Sequence, residues 1–281
     1  MKLIPLLDHL AATPTTPAPR RALLAQLGGA AIAALPAVLS ALPAAAGIKV
    51  TSYDAVAQLL LLERTQLVLY TQALAAPGLI PVAQVVDFQA MQRHQSQHAA
   101  FLVQALQNAG AVVPALPSFD FSGRRGTATN PVLFPSVLTV YEDFLALAQQ
   151  LEDLGVRLYK TQVLFISSDP QLARAALRLH TVEARHAAHI RSLRRGRGVA
   201  VSNWPSDDDA PITRPAAAAV LTTAATGGED SAAQSLTLGT LLPFLTIFYT
   251  RDLGVRPTSI AEAFDEPVNT ATAQTALSLF S

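Results

Sequence analysis

Residues 181–191 read T-V-E-A-R-H-A-A-H-I-R, inside a run from 171 to 195 that contains neither Gly nor Pro. Such a run reads as helix. Glu183 and His186 are three residues apart, which puts both on one face of that helix, close enough to hold one metal ion. An E-x-x-H is weak evidence alone, because both residue types are common on helix surfaces. It gains weight here because the chain says nearly the same thing twice.

Glu63 to Tyr70 reads E-R-T-Q-L-V-L-Y, and Glu152 to Tyr159 reads E-D-L-G-V-R-L-Y. Each Glu is followed seven residues on by a Tyr, about two helical turns, so the pair shares a face. Gln95 opens Q-S-Q-H-A-A, and Glu183 opens E-A-R-H-A-A. The spacing from Glu63 to Gln95 is 32 residues, and from Glu152 to Glu183 it is 31. Two helical hairpins thus carry the same polar residues in the same order, an internal repeat. Four such helices pack as a bundle whose inward polar positions meet at its middle. A Glu from each of two helices, with E-x-x-H from each of the other two, is the ligand set of a carboxylate-bridged di-iron or di-manganese site.

These residues resemble the ferritin-like superfamily. The closer likeness is to exported bacterial ferritin-like proteins related to plant desiccation-associated proteins. It is carried by L-E-D-L-G-V-R-L-Y at 151–159, H-T-V-E-A-R-H-A-A-H-I-R at 180–191 and the late A-F-D-E-P at 263–267. It covers residues 51–195 well and the tail patchily. The resemblance implies an all-α, ferritin-like four-helix bundle with a long crossover between helices 2 and 3. It places metal ligands on Glu63, His98, Glu152, Glu183 and His186, with iron as the cofactor and manganese as the alternative.

One position departs from the pattern. Where the second helix should offer Glu, the chain has Gln95. An amide oxygen is neutral and a weaker donor, so three carboxylates would face two divalent ions. Gln95 is therefore either a weak ligand or a hydrogen-bonding neighbour of the ligands, and the site holds two ions or only one. Tyr70 and Tyr159 are redox-active, or hydrogen-bond to the carboxylates, or fill the core with the hydroxyl tied to a neighbour. His94, four residues before His98, is either a supporting donor or a surface histidine.

The bulk numbers limit other functions. The chain has 281 residues, 51% of them apolar and 14% charged, with Lys plus Arg and Asp plus Glu both at 20. Zero net charge argues against nucleic acid as a partner, since phosphate-binding domains show a basic face. The one basic cluster, from Arg191 to Arg197, reads as complementing the end of its helix. No cysteine is present, which excludes thiolate metal sites and cysteine nucleophiles. There is no G-x-S-x-G elbow and no Gly-rich phosphate loop.

In order, Arg20-Arg21 precede an apolar run over 22–42 that ends at P-A-A-A. This resembles an export signal of the twin-arginine kind over residues 1–46; a retained anchor or a cytoplasmic amphipathic helix are the competing readings. The expected product is exported, periplasmic or in the cell envelope, with no stable membrane span once the signal is removed. The bundle is expected over 47–198, with helices over 51–76, 81–110, 136–167 and from 170 to about 195. The Pro- and Gly-rich residues 111–135 are long enough to run the length of a bundle. Gly155 lies inside the third helix at a cost of about 1 kcal/mol relative to Ala, and it would allow a close approach. Residues 199–281 read as an irregular, partly helical extension packing on the bundle or a partner, and a monomer or homodimer is expected. Two functions follow: a di-iron protein that oxidises ferrous iron or removes peroxide, or a non-catalytic stress-associated or envelope scaffold with a degraded site.

Overall fold

Thr51 starts the first helix by a capping box. Its hydroxyl accepts the Asp54 N–H at 3.1 Å, and the Asp54 carboxylate accepts the Thr51 N–H at 2.9 Å. This satisfies two donors that a helix start would otherwise leave open. The computed structural model describes residues 51–206, 208–227, 262 and 266–281. Helix α1 is Ser52–Ala75. A single 3-10 turn, Val82–Gln84, leads into α2, Val85–Asn108. Gly110, with φ of 68°, then reverses the chain, and the Ala111 N–H returns to the Leu106 carbonyl at 2.9 Å, the common helix stop at a left-handed glycine.

Residues 109–140 form the crossover. Helix α3 is Tyr141–Ile166, so it begins five residues later than the sequence suggests. Residues 136–139 make a turn, in which the Thr139 and Val140 N–H groups both bond the Ser136 carbonyl. Val140 is extended and offers no capping side chain; a β-branched residue suits that conformation. Helix α4 is Pro170–Gly196, capped by Asp169, whose carboxylate accepts the Gln171 and Leu172 N–H groups. Pro170 at the first helical position gives up a donor that has no partner there anyway.

Among the described residues the structure is all helical. Helices α1 and α2 form one hairpin, α3 and α4 the other, and the hairpins face each other chiefly through α1 and α3. Buried Tyr70, Phe88, Tyr141 and Phe144 form an aromatic cluster in the core, mostly with tilted or edge-to-face rings.

Two short helices follow, α5 (Ala219–Thr226) and α6 (Thr270–Leu277). They pack on α3 and on each other. The buried Arg157 guanidinium donates to the carbonyls of Thr223, Ala224, Gly227 and Glu266. Phe280 packs against Phe121 and Phe134 of the crossover, and its carbonyl accepts the Asp120 N–H.

The basic cluster differs from its sequence reading. Arg191 and Arg194 point inward rather than towards the helix end. Arg191 is fully buried and bonds Asp153 through two nitrogens, at 2.9 and 2.7 Å, and Asp209 at 2.6 Å. Arg194 donates to Gln149. The reason is tertiary: the buried Asp153 carboxylate on α3 and the half-buried Asp209 on the loop after α4 supply the charge that the buried Arg191 guanidinium requires. The apolar runs 22–42 and 236–249 and the A-F-D-E of 263–266, apart from Glu266, lie outside the described residues. Among the described residues no helix is long and apolar enough to cross a membrane.

Candidate metal centre

Each helix of the bundle turns polar side chains into the same buried layer. Glu63 comes from α1, Gln95 and His98 from α2, Glu152 from α3, and Glu183 and His186 from α4. All three glutamates and Gln95 are fully buried, and the two histidines nearly so. Isolated carboxylates do not survive there ionised without hydrogen bonds, partners or a cation.

The donors fall into two clusters. Glu63, His98 and Glu183 form one; Glu152, Glu183 and His186 form the other. Within each, one donor atom per residue lies within 4.8 Å of the others. Glu183 is common to both. Its Oε1 is 3.4 Å from His98 Nδ1 and 3.7 Å from His186 Nδ1. His98 Nδ1 also lies 3.3 Å from Glu63 Oε2, and His186 Nδ1 lies 3.5 Å from Glu152 Oε2.

The tyrosines cross between the hairpins. The Tyr159 hydroxyl donates to Glu63 Oε1, and the Tyr70 hydroxyl donates to Glu152 Oε1. Each half therefore orients the outer carboxylate of the other half and leaves that carboxylate's Oε2 facing a histidine. The tyrosine rings lie in the buried core and their hydroxyls are tied to the acids.

Gly155 makes room for Glu183. A Cβ at position 155 would sit 2.8 Å from Glu183 Oε2 and 3.3 Å from Gln66 Nε2. Gln66 is a site residue that the sequence reading missed. Its amide donates to Glu183 Oε2 at 2.9 Å and to the Leu151 carbonyl at 3.2 Å. The available signal was the repeat itself, since Gln66 follows Glu63 at the spacing by which Gly155 follows Glu152. Gln95 Nε2 lies 3.4 Å from the same Glu183 oxygen and donates its amide N–H to it. His94 is half-buried, and its Nδ1 meets His186 Nε2 at 3.0 Å with the rings nearly parallel. It is a neighbour of a cluster member and belongs to neither cluster.

The electrostatics reflect three acids in a dry space. Burial, reinforced by the charge of Glu183, pushes Glu63 up to about 7 and Glu152 well above the carboxylate range. Burial also acts to raise Glu183, but His98, His186 and Gln66 outweigh it and hold Glu183 below its ordinary value. Burial alone would lower His98; Glu183 and Glu63 reverse this and lift it to about 10. Burial, and then the neighbouring Glu152 or Glu63, raises Tyr70 and Tyr159.

Five buried atoms in this layer have no hydrogen-bond partner among the described residues: Gln66 Oε1, Gln95 Oε1, Glu152 Oε2, Glu183 Oε1 and His186 Nδ1. Leaving such atoms unpaired is costly. The last three belong to one cluster, and a cation between them would satisfy all three at once. The donors are carboxylate oxygens and imidazole nitrogens without thiolate, a set that suits iron or manganese. The residues therefore fit a metal.

A family model described as a ferritin-like domain matches residues 51–195, just over half of the chain. No curated protein and no solved structure matches the chain. The match spans all four helices that bring the two clusters together, and on this evidence the chain belongs to the ferritin-like domain family.

Proposed function

We propose that this is an exported ferritin-like protein whose bundle holds a pair of iron ions, with manganese as the alternative, and that it oxidises ferrous iron or handles peroxide. The observation that carries the reading is the sharing of Glu183 between two buried carboxylate–histidine clusters. A single cluster would serve one ion; two clusters joined by one carboxylate serve a pair. When bound, iron supplies an ion that cycles between the divalent and trivalent states.

The chain's own residues do the rest. Glu63 with His98 holds one position, and Glu152 with His186 holds the other. Tyr159 and Tyr70 fix the rotamers of the two outer carboxylates. Burial of the whole layer excludes bulk water. Metal loading requires His98 to give up its proton, because the hydrogen bonds and charges of Glu183 and Glu63 outweigh burial and keep its pKa near 10.

Export is supported by Arg20-Arg21 and the apolar run that follows. Zero net charge supports small ions rather than nucleic acid as partners, and a homodimer is the largest assembly expected. Gln95 favours the second reading, a stress-associated or envelope scaffold without turnover, because it removes one of four carboxylates. Anaerobic titration with ferrous iron followed by admission of oxygen separates the two. The di-iron reading expects two ferrous ions per chain and their loss on oxygen or peroxide; tight binding of none, unchanged in Glu183→Ala, supports the scaffold.

A further inference from the structure

The two oxygens of Glu183 live in different surroundings. Oε2 accepts from two buried amides, Gln66 Nε2 at 2.9 Å and Gln95 Nε2 at 3.4 Å. Oε1 has no hydrogen-bond partner among the described residues and faces Nδ1 of both His98 and His186. Gln66 is itself anchored on the Leu151 carbonyl, so its amide is not free to swing away. The space that lets Gln66 and Glu183 meet exists because residue 155 has no side chain.

A carboxylate that joins two ions can offer one oxygen to each, or one oxygen to both. We propose that Gln66 and Gln95 form an amide clamp that reserves Glu183 Oε2, so that Glu183 joins the two metal positions through Oε1 alone. Both glutamines are positioning residues that act through Glu183. The clamp has a second consequence. The position that the repeat equates with Glu183 carries the neutral Gln95, so three carboxylates face two divalent ions. A second ion would enter a layer already short of negative charge, in which the clamp leaves only Glu183 Oε1 without an amide partner. The centre therefore binds its two ions with unequal affinity.

This inference rests on the di-metal reading above, and the test separates the two. The full chain is titrated anaerobically with Mn(II), following the free-ion paramagnetic signal, and separately with Co(II), whose visible absorption reports its coordination number. The variants are Gln66→Met and Gln95→Met, which keep volume and lose the donor, and Gln95→Glu, which restores a carboxylate. The wild type should take up two Mn(II), the second at least tenfold more weakly. Gln95→Glu should strengthen the second ion at least tenfold. Either Met variant should free Oε2, raise the coordination number and weaken the Co(II) absorption while two ions still bind; Gln95→Met supplies this readout if Gln66→Met does not fold. Met-variant spectra and constants that superimpose on the wild type overturn the clamp and leave the di-metal reading standing. A wild type that takes up neither ion overturns both.

Discussion

The two hairpins of the bundle carry the same frame and, among the residues that meet in the buried layer, differ at two positions. Glu63, Tyr70 and His98 of the first correspond to Glu152, Tyr159 and His186 of the second. Against this, Gln66 stands opposite Gly155 and Gln95 opposite Glu183. The matched residues make two equivalent ends, each with a carboxylate oriented by the other hairpin's tyrosine. The unmatched ones make the middle: the second hairpin supplies the joining carboxylate and the gap for it, and the first supplies two amides that grip it. Under the proposed di-metal reading, the repeat would set where the ions go and its violations how they are joined.

The anchoring of the hairpins differs as well. The second is held to the tail by the Asp153–Arg191–Asp209 network around the buried Arg191, and the first is held to the crossover by Arg64 on the Pro114 and Ala115 carbonyls.

Four outcomes would sharpen or break this contrast. The largest concerns metal stoichiometry. Glu183→Ala should abolish both ions, whereas Glu63→Ala and Glu152→Ala should each abolish one, read by metal content after anaerobic loading. Equal losses in all three variants would break the division into ends and middle. Next comes stability. Asp153→Ala leaves Arg191 buried with one carboxylate fewer and should cost about 3–5 kcal/mol in denaturant unfolding. Arg64→Ala, at a more exposed site, should cost about 1 kcal/mol or less.

A smaller effect is expected from Gly155→Ala. Helix propensity favours Ala by about 1 kcal/mol, yet the new Cβ would meet Glu183 Oε2 at 2.8 Å. Metal affinity should fall by about tenfold, a cost of about 1.4 kcal/mol, while the melting temperature of the metal-free protein holds or rises. A melting temperature that falls with affinity unchanged would show that Glu183 does not need the gap.

The smallest effect is on pH dependence. In the metal-free protein Glu63 is raised from 4.5 to about 7 and His98 from 6.5 to about 10. Both bind protons more tightly folded than unfolded, so their contribution is full below the ordinary values and is lost as pH rises through the folded ones. Stability should therefore decline from about pH 5 to about pH 10. Glu183, held low, works in the opposite sense, and its contribution is lost as the solution becomes more acidic. A metal ion replaces these protons, so the loaded protein should show a flatter alkaline profile in thermal melts.

Much of this was legible in the sequence because it is written locally or twice. Thr51 with Asp54, and Asp169 with Pro170, mark helix starts through their own backbone chemistry. The crossover shows in its Pro and Gly. The residues of the two clusters show in the repeat, and the structure brings Glu63, His98, Glu152, Glu183 and His186 together. What escaped depends on distant partners. Gln66 looks like any surface glutamine until Gly155 and Glu183 are placed beside it. Arg191 is buried because Asp209 returns from a loop eighteen residues on. The late start of α3 follows from an extended Val140 without any capping side chain to announce it.

The most direct test of the central claim is a crystal structure of the protein loaded with ferrous iron under nitrogen, with anomalous data at the iron edge. The account predicts two anomalous peaks in the buried layer, one beside Glu63 and His98, the other beside Glu152 and His186, both in contact with Glu183 Oε1. A single peak, or two peaks of which only one touches Glu183, would contradict it.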